Sequence, residues 1–210
     1  MQRNERIRFI IASIINVAIF GMVIYVLITL IKSLNYGHNR FIYFTNISSL
    51  SIGVVALIHA ILLIVSVFKN KVCVPRLFSL IKMIVVSMMV LTFLTVLLVI
   101  GPLDGYPKNY QGRNFFSHLI IPILCFVSYI FFEEKLELEW KYSLFVLVPL
   151  VTYGIVYVTN VIILKTWEDL YQIDKFGIWY VFIIAFLIVD FGIGQGIYFL
   201  KKYIDRKSRP

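Results

Sequence analysis

Hydrophobic residues in this chain come in long blocks and not in short amphipathic stripes. Six blocks, at roughly 9–31, 43–68, 77–100, 115–132, 142–164 and 178–200, run almost without charge. A helix of about 20 residues rises about 30 Å, the thickness of a bilayer's hydrocarbon core. The pattern therefore predicts an all-α membrane protein: a bundle of six transmembrane helices forming one domain over residues 1–210. The fourth block is the shortest. The second is the longest and is expected to tilt or to extend into the interface. Connections are short, which makes sequential helices antiparallel neighbours. The richest in turn residues, Gly101-Pro-Leu-Asp-Gly-Tyr-Pro107, is expected to end the helix before it and to serve as a connection.

Composition agrees with the blocks. The chain is 60% hydrophobic and 15% charged, with a mean hydropathy of +0.90, more apolar surface than a soluble domain of this size can hide. A net charge of +9 raises the question of nucleic acid, but the basic residues sit at block ends and no basic stripe interleaves with aromatics. No nucleic-acid partner is expected; membrane lipids, as substrate or ligand, are. Arg3, Arg6, Arg8, Lys69, Lys71, Arg76, Lys135, Lys141, Lys201, Lys202, Arg206, Lys207 and Arg209 fall on one side. Lys32, Arg40, Lys108, Arg113, Lys165 and Lys175 fall on the other. The positive-inside rule puts the richer side, with both termini, in the cytoplasm. Tyr43, Phe44, Trp140, Tyr142, Trp179 and Tyr180 form aromatic belts at block ends. The first block is too long for a signal-peptide core and lacks a small-residue cleavage site. Heavy use of Ile, Lys and Asn points to an AT-rich genome and a bacterial cell membrane.

Polar residues inside the blocks narrow the chemistry, because in hydrocarbon they need a partner, a cavity or a function. Thr45, Ser48, Ser49, Ile52, Ala56 and His59 share one face of the second helix and are expected to face the bundle interior. Close packing of small residues, with hydroxyls bonded to backbone carbonyls, accounts for the serines. The fourth helix opens Asn114-Phe-Phe-Ser-His118. By topology, Thr45 and His118 lie at similar depth near the outer surface. A neutral imidazole within reach can take a threonine's proton, whereas a helix cap and an interfacial histidine would account for the same two residues without catalysis. His59 and Asp190 lie near mid-membrane, and Asp190 is expected to pair with His59 or with a hydroxyl. Lys82 is expected to snorkel to the interface. Gly192 and Gly196 form a GxxxG, with Gly194 between them, a signal for close helix contact.

Several chemistries lack their residues. There is no GxSxG elbow, no HExxH, no CxxC and no phosphate-cradling loop. His38, His59 and His118 are scattered in depth, so no metal and no cofactor is expected. Cys73 and Cys125 are expected to lie too far apart to bridge.

With six spans, Phe44-Thr45 opening the second helix and His118 with Pro122 opening the fourth, the chain resembles the androgen-induced integral-membrane hydrolase family. That family includes the androgen-dependent TFPI-regulating protein, and the chain looks like a prokaryotic relative. Animal members are threonine hydrolases of fatty acid esters of hydroxy fatty acids. The resemblance implies a lipid-ester hydrolase with Thr45 as nucleophile and His118 as base. Asn46, Ser49 and Asn114 are then candidates for binding the oxyanion or orienting the imidazole. The alternative is a small transporter or lipid-binding protein with a polar site around His59 and Asp190; the inverted repeats and broken helices of many transporters are not evident in the sequence.

Overall fold

The computed structural model describes residues 1–34, 42–169, 171, 173–174 and 177–208. His38 and the topology charges Arg40, Lys175 and Arg209 lie outside the described residues. Among the described residues the chain is helical, without strands, and six helices are long and apolar enough to cross a membrane. They are α1 (Arg3–Leu34), α2 (Phe44–Lys69), α3 (Arg76–Asp104), α4 (Arg113–Phe132), α5 (Trp140–Ile163) and α6 (Trp179–Ser208). The longest is α1, not α2, because its polar ends, Arg3 to Arg8 and Lys32-Ser33, continue the helix beyond the apolar block.

Helix α3 is the hub. It packs against α2, α4, α5 and α6, while α1 lies against α2 and α4. Ile52, Met83, Val86, Met89, Ile121 and Ile130 are fully buried where these helices meet. The periphery is looser: half of the most apolar stretch of α3 is buried, against 17% for α5 and α6.

Proline sets the local geometry of two helices. A proline ring clashes with the carbonyl four residues earlier and offers no N–H to it. In α3 the backbone widens to π-type turns over Val96–Ile100 just ahead of Pro102, and in α4 over Phe116–Ile120 just ahead of Pro122. The widened turn lets the helix run past the ring instead of breaking. Helix α3 therefore does not stop before Gly101, as the turn residues suggest, but continues to Asp104. Gly105, at φ 89, makes the reversal that an L side chain resists. A single helical turn, Tyr106–Asn109, follows, and the Tyr106 hydroxyl donates to the Leu97 carbonyl at 2.9 Å.

Two glycines mark close helix contacts. A Cβ on Gly53 of α2 would meet the Val23 side chain of α1. On α6 the contact is made by Gly194, whose Cβ would collide with Val146 and crowd the Ser143 carbonyl of α5. Gly192 and Gly196, the outer members of the GxxxG, have open space around them. The two cysteines are free, Cys73 half-buried and Cys125 buried.

Both chain ends lie at one end of the bundle. The Met1 amino group donates to the Asn70 carbonyl in the α2–α3 turn, and Asp205 near the end of α6 holds the Leu136 N–H of the α4–α5 segment. Below, this is the terminal end.

Candidate functional site

Helix α4 spans only 20 residues, about 30 Å. It ends inside the bundle, and the segment after it is not a solvated loop. Glu133, Glu134, Leu136 and Leu138 are buried. The two carboxylates turn back among α1, α2 and α3, where Asn16, His59, Ser79 and Lys82 are also buried.

The resulting network is tightly bonded. Glu134 Oε1 accepts from the Ser79 hydroxyl at 2.7 Å, and its Oε2 meets His59 Nε2 at 2.9 Å. Glu133 Oε1 accepts from the Ser128 hydroxyl at 2.8 Å and the Asn16 amide at 3.0 Å, with the Lys82 ammonium at 3.3 Å. His59 Nδ1 stands 3.2 Å from Glu133 Oε2, an ion-pair distance without hydrogen-bond alignment. Lys82 also donates to the Asn16 side-chain carbonyl. Lys82 thus does not snorkel: Asn16 and Glu133 satisfy its ammonium within the bundle.

Charge explains the arrangement. Two carboxylates buried together are costly unless cations and donors meet them. Here the Lys82 ammonium and an imidazole facing a carboxylate oxygen from each ring nitrogen supply the balance. Burial alone would push Glu133 and Glu134 up. The nearby His59, joined at Glu133 by Lys82, instead holds both carboxyls below the ordinary carboxylate range. His59, Glu133 and Glu134 offer ligand atoms within 4.8 Å of one another, a donor set a divalent cation can use. The ring meets the two carboxylates through different nitrogens, however, so binding one ion to all three residues requires the imidazole to turn.

A second polar pair joins α3 and α6. Asp190 of α6 is 2% exposed and accepts from the Ser87 hydroxyl of α3 at 3.3 Å. Of the two partners considered from sequence, the hydroxyl takes Asp190, and His59 lies with the glutamates.

Toward the opposite end, the bundle holds a cavity of about 370 Å³ between α2, α3, α5 and α6. Its wall is apolar, with Leu91, Leu150, Phe182 and Phe186, and Thr45, Thr92 and Thr95 contribute hydroxyl-bearing side chains. Lining residues Val151 and Ile155 of α5 are exposed, and the cavity is open to its surroundings. Aromatic residues close its far end. Phe44 packs on Tyr153 at 5.1 Å between ring centroids, and Tyr171 on Tyr157 at 5.3 Å. The Tyr171 hydroxyl accepts from the Phe44 N–H, and the Tyr153 hydroxyl donates to the Ile42 carbonyl. Two tyrosines thereby serve groups at the start of α2 that no side-chain cap satisfies.

Thr45 lines this cavity and His118 does not. His118 Nδ1 bonds the Asn109 carbonyl at 2.9 Å, and among the described residues no hydrogen bond joins the imidazole to Thr45. The Ser48 hydroxyl donates to the Thr45 carbonyl and shares a 3.1 Å contact with Thr92 of α3. Asn46 and Ser49 are buried on α2, the Ser49 hydroxyl without a hydrogen-bond partner among the described residues. Asn114 sits half-buried in the first turn of α4.

Sequence reasoning missed Asn16, Ser79, Ser128 and above all Glu133 and Glu134. The available signal was a fourth block too short to carry its following acids clear of the bundle, facing a lysine and a histidine on earlier helices. No protein-family model, no curated protein and no solved structure matches the chain.

Proposed function

We propose that the protein binds the acyl portion of a membrane lipid in the cavity between α2, α3, α5 and α6. The observation that carries this reading is the cavity itself. At about 370 Å³ it falls within the range of small-ligand sites, and its wall is apolar with a few hydroxyls. Exposed apolar lining residues on α5, Val151 and Ile155, suit an occupant arriving from within the bilayer and not from water.

The chain sits, in this reading, in a bacterial cell membrane with both termini cytoplasmic. The excess of lysine and arginine at the terminal end supports that orientation. The cavity then lies in the outer half, where Thr45 meets the ester level of a lipid whose chains lie among Leu91, Leu150 and Phe186.

Hydrolysis of a lipid ester is the second reading, and one observation favours it: Thr45 lines the same cavity. A threonine nucleophile needs a base within about 3 Å. His118 would have to leave the Asn109 carbonyl and turn toward α2 for the Thr45–His118 pair to act.

A diazirine-bearing phospholipid photolysed with the purified protein tests both. Crosslinks are expected on α5 between Val151 and Thr159, reduced at least about tenfold by Val151→Trp, which fills the cavity. Crosslinking that Val151→Trp leaves untouched would refute acyl binding at this site. A fluorophosphonate probe separates the second reading: labelling abolished by Thr45→Ala supports hydrolysis, and labelling that is absent or survives the substitution removes it.

A further inference from the structure

At the terminal end, the last turns of α6 and the first residue of α5 form a groove of about 560 Å³ lined by Trp140, Tyr198, Phe199, Lys202, Tyr203 and Arg206. Its aromatic walls are unusually open: Trp140, Phe199 and Tyr203 are 58%, 59% and 58% exposed. Lys202 and Arg206, one helical turn apart, project on the same face.

The charge around this groove is unbalanced in a specific way. On the buried face of the same two turns, Lys201 pairs with Asp205 at 3.5 Å and donates to the Glu133 carbonyl. In the neighbouring segment, Glu137 pairs with Arg76 and Glu139 with Lys141. The carboxylates nearest the groove are therefore engaged elsewhere. Among the described residues, none lies within ion-pair distance of Lys202 or Arg206; the Lys202 ammonium stands only over the Tyr198 ring, 5.8 Å from its centroid. Two like charges one turn apart repel each other unless an anion joins them.

We propose that this groove binds the head group of an anionic phospholipid, its phosphate held by Lys202 and Arg206 and its glycerol and upper acyl region packed against Trp140, Phe199 and Tyr203. Arginine's planar fork matches phosphate oxygens, and lysine adds a point charge. Exposed tryptophan and tyrosine favour the level of the bilayer interface, where an apolar ring and a wet edge are both accommodated. A free phosphate ion would use the two cations and leave the aromatic wall without purpose, so the lipid is the better match. The site is separate from the acyl cavity, which lies toward the other end of the bundle between α2, α3, α5 and α6.

The three tryptophans provide the test. In the full chain carrying Trp167→Phe and Trp179→Phe, excited at a wavelength that tyrosine does not absorb, Trp140 is the one emitting residue, and it borders the groove. Quenching by brominated phosphatidylglycerol, diluted in detergent micelles, is compared with quenching by brominated phosphatidylcholine. Phosphatidylglycerol is expected to reach half-maximal quenching at a mole fraction at least about fivefold lower, and Lys202→Gln with Arg206→Gln is expected to erase the difference. The matched control, Lys69→Gln with Lys71→Gln, removes the same charge from the α2–α3 turn and is expected to leave the preference in place. Equal quenching by the two lipids would overturn the proposal, as would a preference that survives the groove substitutions or is lost equally in the control. Thermal melting of each variant verifies that the surface substitutions leave the fold intact.

Discussion

The two ends of the bundle handle buried polarity in opposite ways. At the terminal end, Asn16, His59, Ser79, Lys82, Ser128, Glu133 and Glu134 lock together with their charges balanced and almost every donor used. Toward the other end, Thr45, Thr92 and Thr95 border a cavity walled mostly by apolar side chains. A closed network resists change because removing one member strands the rest in a poor solvent. A mostly apolar cavity wall tolerates change better, because few of its contacts are hydrogen bonds between buried groups. Rigidity is thus concentrated where α1, α2, α3 and α4 meet, and room for a ligand where the loosely buried α5 and α6 meet α2 and α3.

The contrast breaks most readily at Lys82. Replacing it with Met strands the Glu133 carboxylate and is expected to cost about 3–5 kcal/mol. Thr45→Val, at the cavity, is expected to stay within about 1 kcal/mol. Equal melting temperatures for the two variants in detergent would erase the distinction. Acid offers a second route. Because both glutamates are held below their ordinary value in the folded protein, their contribution is complete above the unfolded pKa of about 4.3. It is lost as pH falls from there through the folded values. Melting temperature is expected to decline steeply below about pH 4, and Glu134→Gln to shallow that decline. A flat profile would mean the network does not carry its stated weight.

Smaller effects sharpen the packing side. Gly194→Ala forces a methyl into Val146 and is expected to cost about 1–3 kcal/mol, whereas Gly192→Ala, with open space, is expected to be neutral or slightly stabilising. Denaturant or heat titration of the pair distinguishes them. The smallest change is expected for Arg76→Gln. Its ion pair with Glu137 is 77% and 64% exposed and is worth at most about 1 kcal/mol. Comparable losses at Arg76 and Lys82 would contradict the division between buried and exposed charge.

Six helices are legible in the sequence because bilayer thickness imposes a minimum apolar length on every span, and that minimum survives any error in packing. The site is less legible. Depth along a helix follows from residue number, and Thr45 and His118 both lie near the start of their helices, α2 and α4. Rotation about the axis does not follow, and it decides that Thr45 lines the cavity while His118 turns to Asn109. Glu133 and Glu134 escape the block pattern because a residue just beyond an apolar block is ordinarily solvated. Only the shortness of α4 hints otherwise. Lys82 reads as snorkelling for a related reason: the sequence reveals the distance to the interface but not the nearer oxygen atoms of Asn16 and Glu133.

The position of the acid pair also constrains the order of assembly. Asn16, His59 and Lys82 all emerge from the ribosome before Glu133 and Glu134, which follow Lys82 by about 50 residues, or roughly 3–10 s of synthesis. For that interval the first three helices hold a lysine and a histidine whose counterions do not yet exist. Until the fourth helix arrives, Lys82 is met by Asn16 or by snorkelling toward the interface, and the His59 imidazole by staying neutral. A nascent chain halted after α3 is therefore expected to be cut by protease in detergent more readily than one extended past Glu134.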